Sequence, residues 1–184
     1  MPDPASITEC QDCPFGFSQR DRGQVSCDIC LPGRAQVSSG QPDCPVCIPG
    51  KFTEELNATQ CEDCPRGKHQ SKTASASCLP CIQGRSATSP SQTSCTECLP
   101  GYFMPNSESN ITCFNCPSGW MQEAHASSSC KQCLVGTYQL YATKSACELC
   151  PKGYVQDTTA QKRCNICPAG FSQKDPQQTV CNPW

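Results

Sequence analysis

Residues 150–171 read CPKGYVQDTTAQKRCNICPAGF: a cysteine, a glycine three places on, an aromatic ring, a polar run, and a second cysteine that opens a Cys-x-x-Cys pair. Directly after the pair the phrase begins again. Followed outward, the first cysteine of each pair falls at 10, 27, 44, 61, 78, 95, 113, 130, 147, 164 and 181, a step of 17 broken once by a step of 18. A fixed period of this kind marks tandem repeats. We number the ten loops from the second cysteine of one pair to the first of the next, so module 1 is residues 13–27 and module 10 is residues 167–181.

Glycine stands three residues after the opening cysteine in all ten modules, from Gly16 to Gly170. Where proline follows the cysteine directly (Pro14, Pro65, Pro117, Pro151, Pro168), Cys-Pro-x-Gly reads as a type I turn with Gly at its fourth place. Where proline comes one place later (Pro32, Pro49, Pro100), Gly takes the third place of a type II turn, which needs positive φ. Seven modules carry an aromatic residue within two places of the glycine: Phe17, Phe52, Tyr102 with Phe103, Trp120, Tyr138, Tyr154 and Phe171. A flat ring there is expected to cover a disulfide or the next module. The rest of each loop is polar and without helical period, so each module is expected to be a short two-stranded hairpin with an exposed tip.

Composition sets the class. Ile, Leu, Val and Phe number 25 of 184 residues, too few for a conventional core, whereas cysteine numbers 21. That density belongs to a disulfide scaffold in an oxidising compartment, extracellular or on the cell surface. The opening MPDPASITE has neither a basic region nor an apolar run, so a signal peptide is not expected within this chain. No stretch approaches the ~20 apolar residues of a membrane span. A net charge of −2 without charge blocks offers no footprint for nucleic acid.

The repeat prunes the ways the cysteines can pair. One joins the second cysteine of each pair to the first of the next: Cys13–Cys27, Cys30–Cys44, Cys47–Cys61, Cys64–Cys78, Cys81–Cys95, Cys98–Cys113, Cys116–Cys130, Cys133–Cys147, Cys150–Cys164 and Cys167–Cys181, leaving Cys10 unpaired within the chain. A second bridges within each Cys-x-x-Cys and leaves Cys181. A third crosses modules and strands residues at both ends. The first is favoured because it closes every turn-bearing loop, while tight Cys-x-x-Cys bridges are more typical of redox sites. A lone hairpin is marginal in water, so stacking on neighbours is expected to supply the rest of the stability, as in other one-dimensional repeats. The expected fold is a small disulfide-rich repeat protein: an elongated ladder of short β-hairpins with little regular secondary structure and no helical core. Residues 1–9 form a lead-in, 10–181 one rod, and 182–184 the end, where Trp184 is expected to cap the last bridge. Cys10 reads as a closing cysteine whose opener lies before Met1 or in another chain.

Cys-Pro-x-Gly-aromatic, about ten polar residues, then Cys-x-x-Cys resembles the first module of tumour-necrosis-factor-receptor repeats, and more closely the ephrin-receptor-like cysteine-rich repeats of many extracellular proteins. The resemblance runs from residue 10 to 181 and implies loops closed across the long gap in a disulfide ladder. Similar repeats occur in long surface and filament proteins of protists, including flagellar mastigonemes. No second, differently spaced module alternates with the first here, which favours a spacer or filament over a receptor head.

Candidate sites are few. Cys-x-x-Cys pairs could bind zinc, but 13 residues separate successive pairs against ~15–20 in zinc ribbons, and only His69 and His125 could add imidazole. No metal and no cofactor is expected, and no Ser, His and acid grouping suggests an enzyme. Two sequons, Asn57-Ala58-Thr59 and Asn110-Ile111-Thr112, are expected N-glycan acceptors in a secreted protein. Arg34, Lys68 with His69, and Arg85 replace the aromatic in modules 2, 4 and 5 and are the first suspects for ligand contact. The leading expectation is a non-enzymatic structural protein, a filament subunit or surface-protein stalk whose partners are its own copies or other extracellular proteins. The alternative is a receptor or adhesion ectodomain binding a protein ligand.

Overall fold

The structure, a computed structural model, describes residues 10–105 and 111–183. The lead-in, Trp184 and Asn110 lie outside them. The described residues contain two-residue strands, turns and bends, with no helix. The chain divides into two compact units, Met1–Leu79 with Ser89–Ser94, and Pro80–Thr88 with Cys95–Trp184.

Each hairpin pairs the strand just past the module's glycine with the residues between the next two cysteines, antiparallel. In the first unit Phe17–Ser18 pairs with Asp28–Ile29, and Lys51–Phe52 with Glu62–Asp63; module 2 keeps a single bridge, Arg34 to Val46. In the second, Arg85–Ser86 pairs with Thr96–Glu97, Tyr102–Phe103 with Phe114–Asn115, Trp120–Met121 with Lys131–Gln132, and Thr137–Tyr138 with Glu148–Leu149. Tyr154–Val155 with Asn165–Ile166 and Phe171–Ser172 with Asn182–Pro183 continue the series. This is a disulfide-rich ladder of hairpins, four bridges in the first unit and six in the second.

The turns differ from the sequence expectation in one respect. In Cys-Pro-x-Gly modules the N–H of the residue after glycine donates to the proline carbonyl, as Trp120 does to Pro117 at 3.0 Å and Tyr154 to Pro151 at 3.0 Å. Proline is therefore the first residue of the turn, and glycine the third, as in the Leu99–Tyr102 turn. A type I turn would direct the glycine amide back to the cysteine carbonyl. That amide is engaged elsewhere: Gly119 N–H donates to Gln139 of the next module at 2.7 Å, and Gly16 N–H to Gln36 at 2.8 Å.

Neighbours two modules away also meet. Gly119 has φ +85, and a Cβ built on it would lie 2.1 Å from the backbone oxygen of Ala160, at the tip of module 9. Only a residue without a side chain allows that approach. Ala160 itself has φ 58, uncommon for a residue with a Cβ; its N–H donates to the Cys133 carbonyl of module 8 at 2.8 Å, which holds the turn in place. Backbone hydrogen bonds between modules thus do much of what a hydrophobic core does elsewhere.

The rings do not form the buried layer. Phe17, Phe52, Tyr102, Phe103, Trp120 and Tyr138 are half-buried, and Tyr154 and Phe171 are exposed. Side chains one and two places past the glycine leave the strand on opposite faces, so the seven aromatic modules do not share one ring position. At the second place it is a serine that touches a neighbour's bridge: the Ser18 hydroxyl donates to Cys44 Sγ at 3.3 Å, and Ser86 to Cys113 Sγ at 3.5 Å. The buried residues are mainly the opening cysteines, small residues, Met104 and a series of glutamines.

Candidate functional site: bridged loops, glutamine braces and tips

Ten bridges close the ten modules across the long gap, Cys13–Cys27 through Cys167–Cys181, with Cα separations of 5.6–5.8 Å. Within each Cys-x-x-Cys from residue 27 to residue 167, one sulfur bonds backward and the other forward. Neither is a thiolate that could ligate a metal. Cys10 is a free, exposed thiol.

Seven of the ten loops are organised internally by residues that the sequence expectation did not include. Glutamine occupies the third place past the glycine in seven modules: Gln19, Gln36, Gln70, Gln122, Gln139, Gln156 and Gln173. Each side-chain amide donates to the carbonyl of the residue before the closing cysteine, at 2.6–2.9 Å. Each side-chain oxygen accepts the backbone N–H two places on, at 2.9–3.2 Å. One side chain so spans the loop from its first polar residue to its bridge. Glutamine suits the place because its amide offers donor and acceptor together at that reach. Gln139 is 1% exposed, and among the described residues no buried side-chain nitrogen or oxygen lacks a partner. Recurrence at one place in seven of ten modules is the signal of this role in the sequence.

Of the suspected basic residues, the two arginines serve the hairpins that carry them. Arg34 donates to the Cys44 carbonyl at 2.9 Å. Arg85 donates to the Cys95 carbonyl and pairs with Glu97, directly across the strand pair. Lys51 pairs with Asp63 in the same way, and this ammonium, with a hydrogen bond from Ser91, holds the Asp63 carboxyl below its ordinary pKa. Lys131 lowers the pKa of Glu123. The Tyr138 hydroxyl donates to Glu148 at 2.9 Å, and that bond, then burial, raises its pKa. Lys68 is exposed and His69 half-buried.

Asn57 lies at the tip of module 3 with φ 50, exposed, and Thr59 is exposed beside it. No helix among the described residues is long and apolar enough to cross a membrane. No family model matches this chain, and no curated protein matches it.

Proposed function

We propose that this chain is a non-enzymatic extracellular structural repeat protein, a disulfide-stapled array that serves as a filament subunit or as the stalk of a surface protein, and that it is kin to ephrin-receptor-like cysteine-rich repeats. One observation supports this above the others: every module is closed by its own bridge, and modules 1 to 9 are each hydrogen-bonded through the backbone to a module that follows. Such an array resists unfolding and proteolysis module by module, and it spends its buried surface on its own neighbours. Arg34 and Arg85, two of the four basic residues suspected of ligand contact, are engaged within their own hairpins, which favours the structural role over a receptor in modules 2 and 5.

Electron microscopy of the secreted, purified protein tests the reading, with thiol titration under denaturing conditions on the same sample. One reactive thiol per chain, Cys10, and separate rods or ordered fibres are expected. Rods favour the stalk and fibres the filament. Some twenty reactive thiols, or globular particles, would overturn the proposal.

A further inference from the structure

We infer that Asn57 carries an N-linked oligosaccharide, which makes the outer edge of module 3 a glycan-covered surface. This rests on the extracellular reading, and the tertiary structure adds an argument that the sequon alone does not contain. At the tip of module 3 the backbone is held against earlier modules: Asn57 N–H donates to the Cys30 carbonyl at 2.8 Å, and its own carbonyl lies against Gly16, 2.0 Å from where a Cβ would stand. Ala58, 6% exposed, accepts the Gln36 N–H at 3.0 Å. What remains outside is the Asn57 side chain, the Thr59 hydroxyl and Leu56, 52% exposed. The same tip position holds Gly40, Ala74 and Ser91 in modules 2, 4 and 5, so among these neighbours only module 3 presents an amide.

The chemistry is that of any Asn-x-Thr acceptor with a residue other than proline between. The Asn57 side-chain nitrogen attacks the anomeric carbon of an oligosaccharide carried on a lipid diphosphate. A C–N bond forms, the C–O bond to phosphate breaks, the lipid diphosphate leaves with the electron pair, and the amide proton passes to the transferase. The finished module accommodates the product because Asn57 stands exposed at the tip. The first sugar can lie over Leu56, shielding an exposed apolar group. Side-by-side contacts between arrays then use a face other than this edge.

The test secretes the 184-residue chain from a glycosylating eukaryotic cell behind a cleavable leader. Peptide N-glycosidase in heavy-oxygen water converts each glycosylated asparagine to labelled aspartate, read by peptide mass. Labelled aspartate at position 57 is expected in wild type. Loss of one glycan from the intact mass is expected in both Asn57→Gln and Thr59→Ala. Glutamine is tolerated at this backbone position, since Gln177 holds its equivalent in module 10 with φ 61. Unlabelled asparagine at 57 in the secreted wild type would overturn the inference. Thiol titration of the same sample bears on the extracellular reading alone: reduced cysteines in a secreted chain would sink that reading whatever position 57 carries.

Discussion

Modules 5 and 6 fill the place three past the glycine with Ala87 and Met104, while modules 7 to 10 fill it with glutamine. All six are buried, Ala87 at 1% exposure, Met104 at 0% and Gln139 at 1%. Methionine is close to glutamine in length and volume, so it fills the space without the amide's paired donor and strong acceptor. Alanine leaves the space to be closed by the bridge itself, and Ala87 clusters with Cys81 and Cys95. The lesson is that modules 5 to 10 bury whatever side chain stands at this place, whereas the amide brace is an addition that most modules use to hold their tips.

The largest effect should fall on what both regions share. Gly119→Ala combines left-handed strain of about 1–2 kcal/mol with a collision against Ala160 worth about 1–3 kcal/mol. Gly153 has φ +81 but nothing within 4 Å of a Cβ, so Gly153→Ala should show the strain alone. Denaturant melting with bridges intact measures both; equal losses would dismiss the close approach as the reason for the glycine.

Removing a bridge comes next. Cys133→Ser with Cys147→Ser should cost about 3 kcal/mol, the value for closing a loop of this length. The same pair of changes at Cys98 and Cys113 should cost at least as much, because module 6 has Met104 where module 8 has its glutamine brace. A smaller loss in module 6 would mean that the brace contributes little.

Changing the brace itself sharpens the contrast further. Gln139→Ala should cost about 2–3 kcal/mol from the void and the lost hydrogen bonds, and Gln139→Met about 1–1.5 kcal/mol. Amide exchange at Tyr141 should accelerate in both, since neither replacement accepts that N–H. A methionine variant as unstable as the alanine variant would break the idea that volume is the common demand.

The smallest effect is electrostatic. Glu123 has its pKa lowered by Lys131, so the folded carboxylate is favoured. Its contribution is present above the unfolded pKa, about 4.3, and fades as pH falls through the lower folded value. Asp63 with Lys51 follows the same sign. NMR titration should find the Glu123 pKa rising toward its ordinary value in Lys131→Ala, with melting at neutral pH nearly unchanged, as for other exposed pairs.

Much of the architecture was legible because it is written in covalent chemistry and in backbone requirement. A cysteine every 17 residues limits the closures available, and a glycine repeated ten times reports a backbone conformation. The turn register was less legible: Pro14 and Pro32 differ by one place, yet both modules put glycine third in the turn, because the Gly16 and Gly33 amides donate to Gln36 and Thr53 one module on. A single repeat does not display a partner that lies in the next one. For the same reason the glutamine series looked like part of a polar loop. Its polarity serves the interior once the loop folds back over its own bridge.

The amino-acid sequence alone carries the period, a choice among few closures that favours one bridge per loop, the call for oxidising conditions, and the need for glycine. These follow from local chemistry: thiols oxidise, and only glycine escapes the Cβ clash at positive φ. Only the tertiary structure decided why the glycine is pressed so closely, which carbonyls receive the amides, and which polar side chain is buried. Those are contacts between residues 20 to 41 places apart, such as Gly119 with Gln139 and with Ala160. They exist once neighbouring modules stack, and a pattern read one module at a time does not contain them.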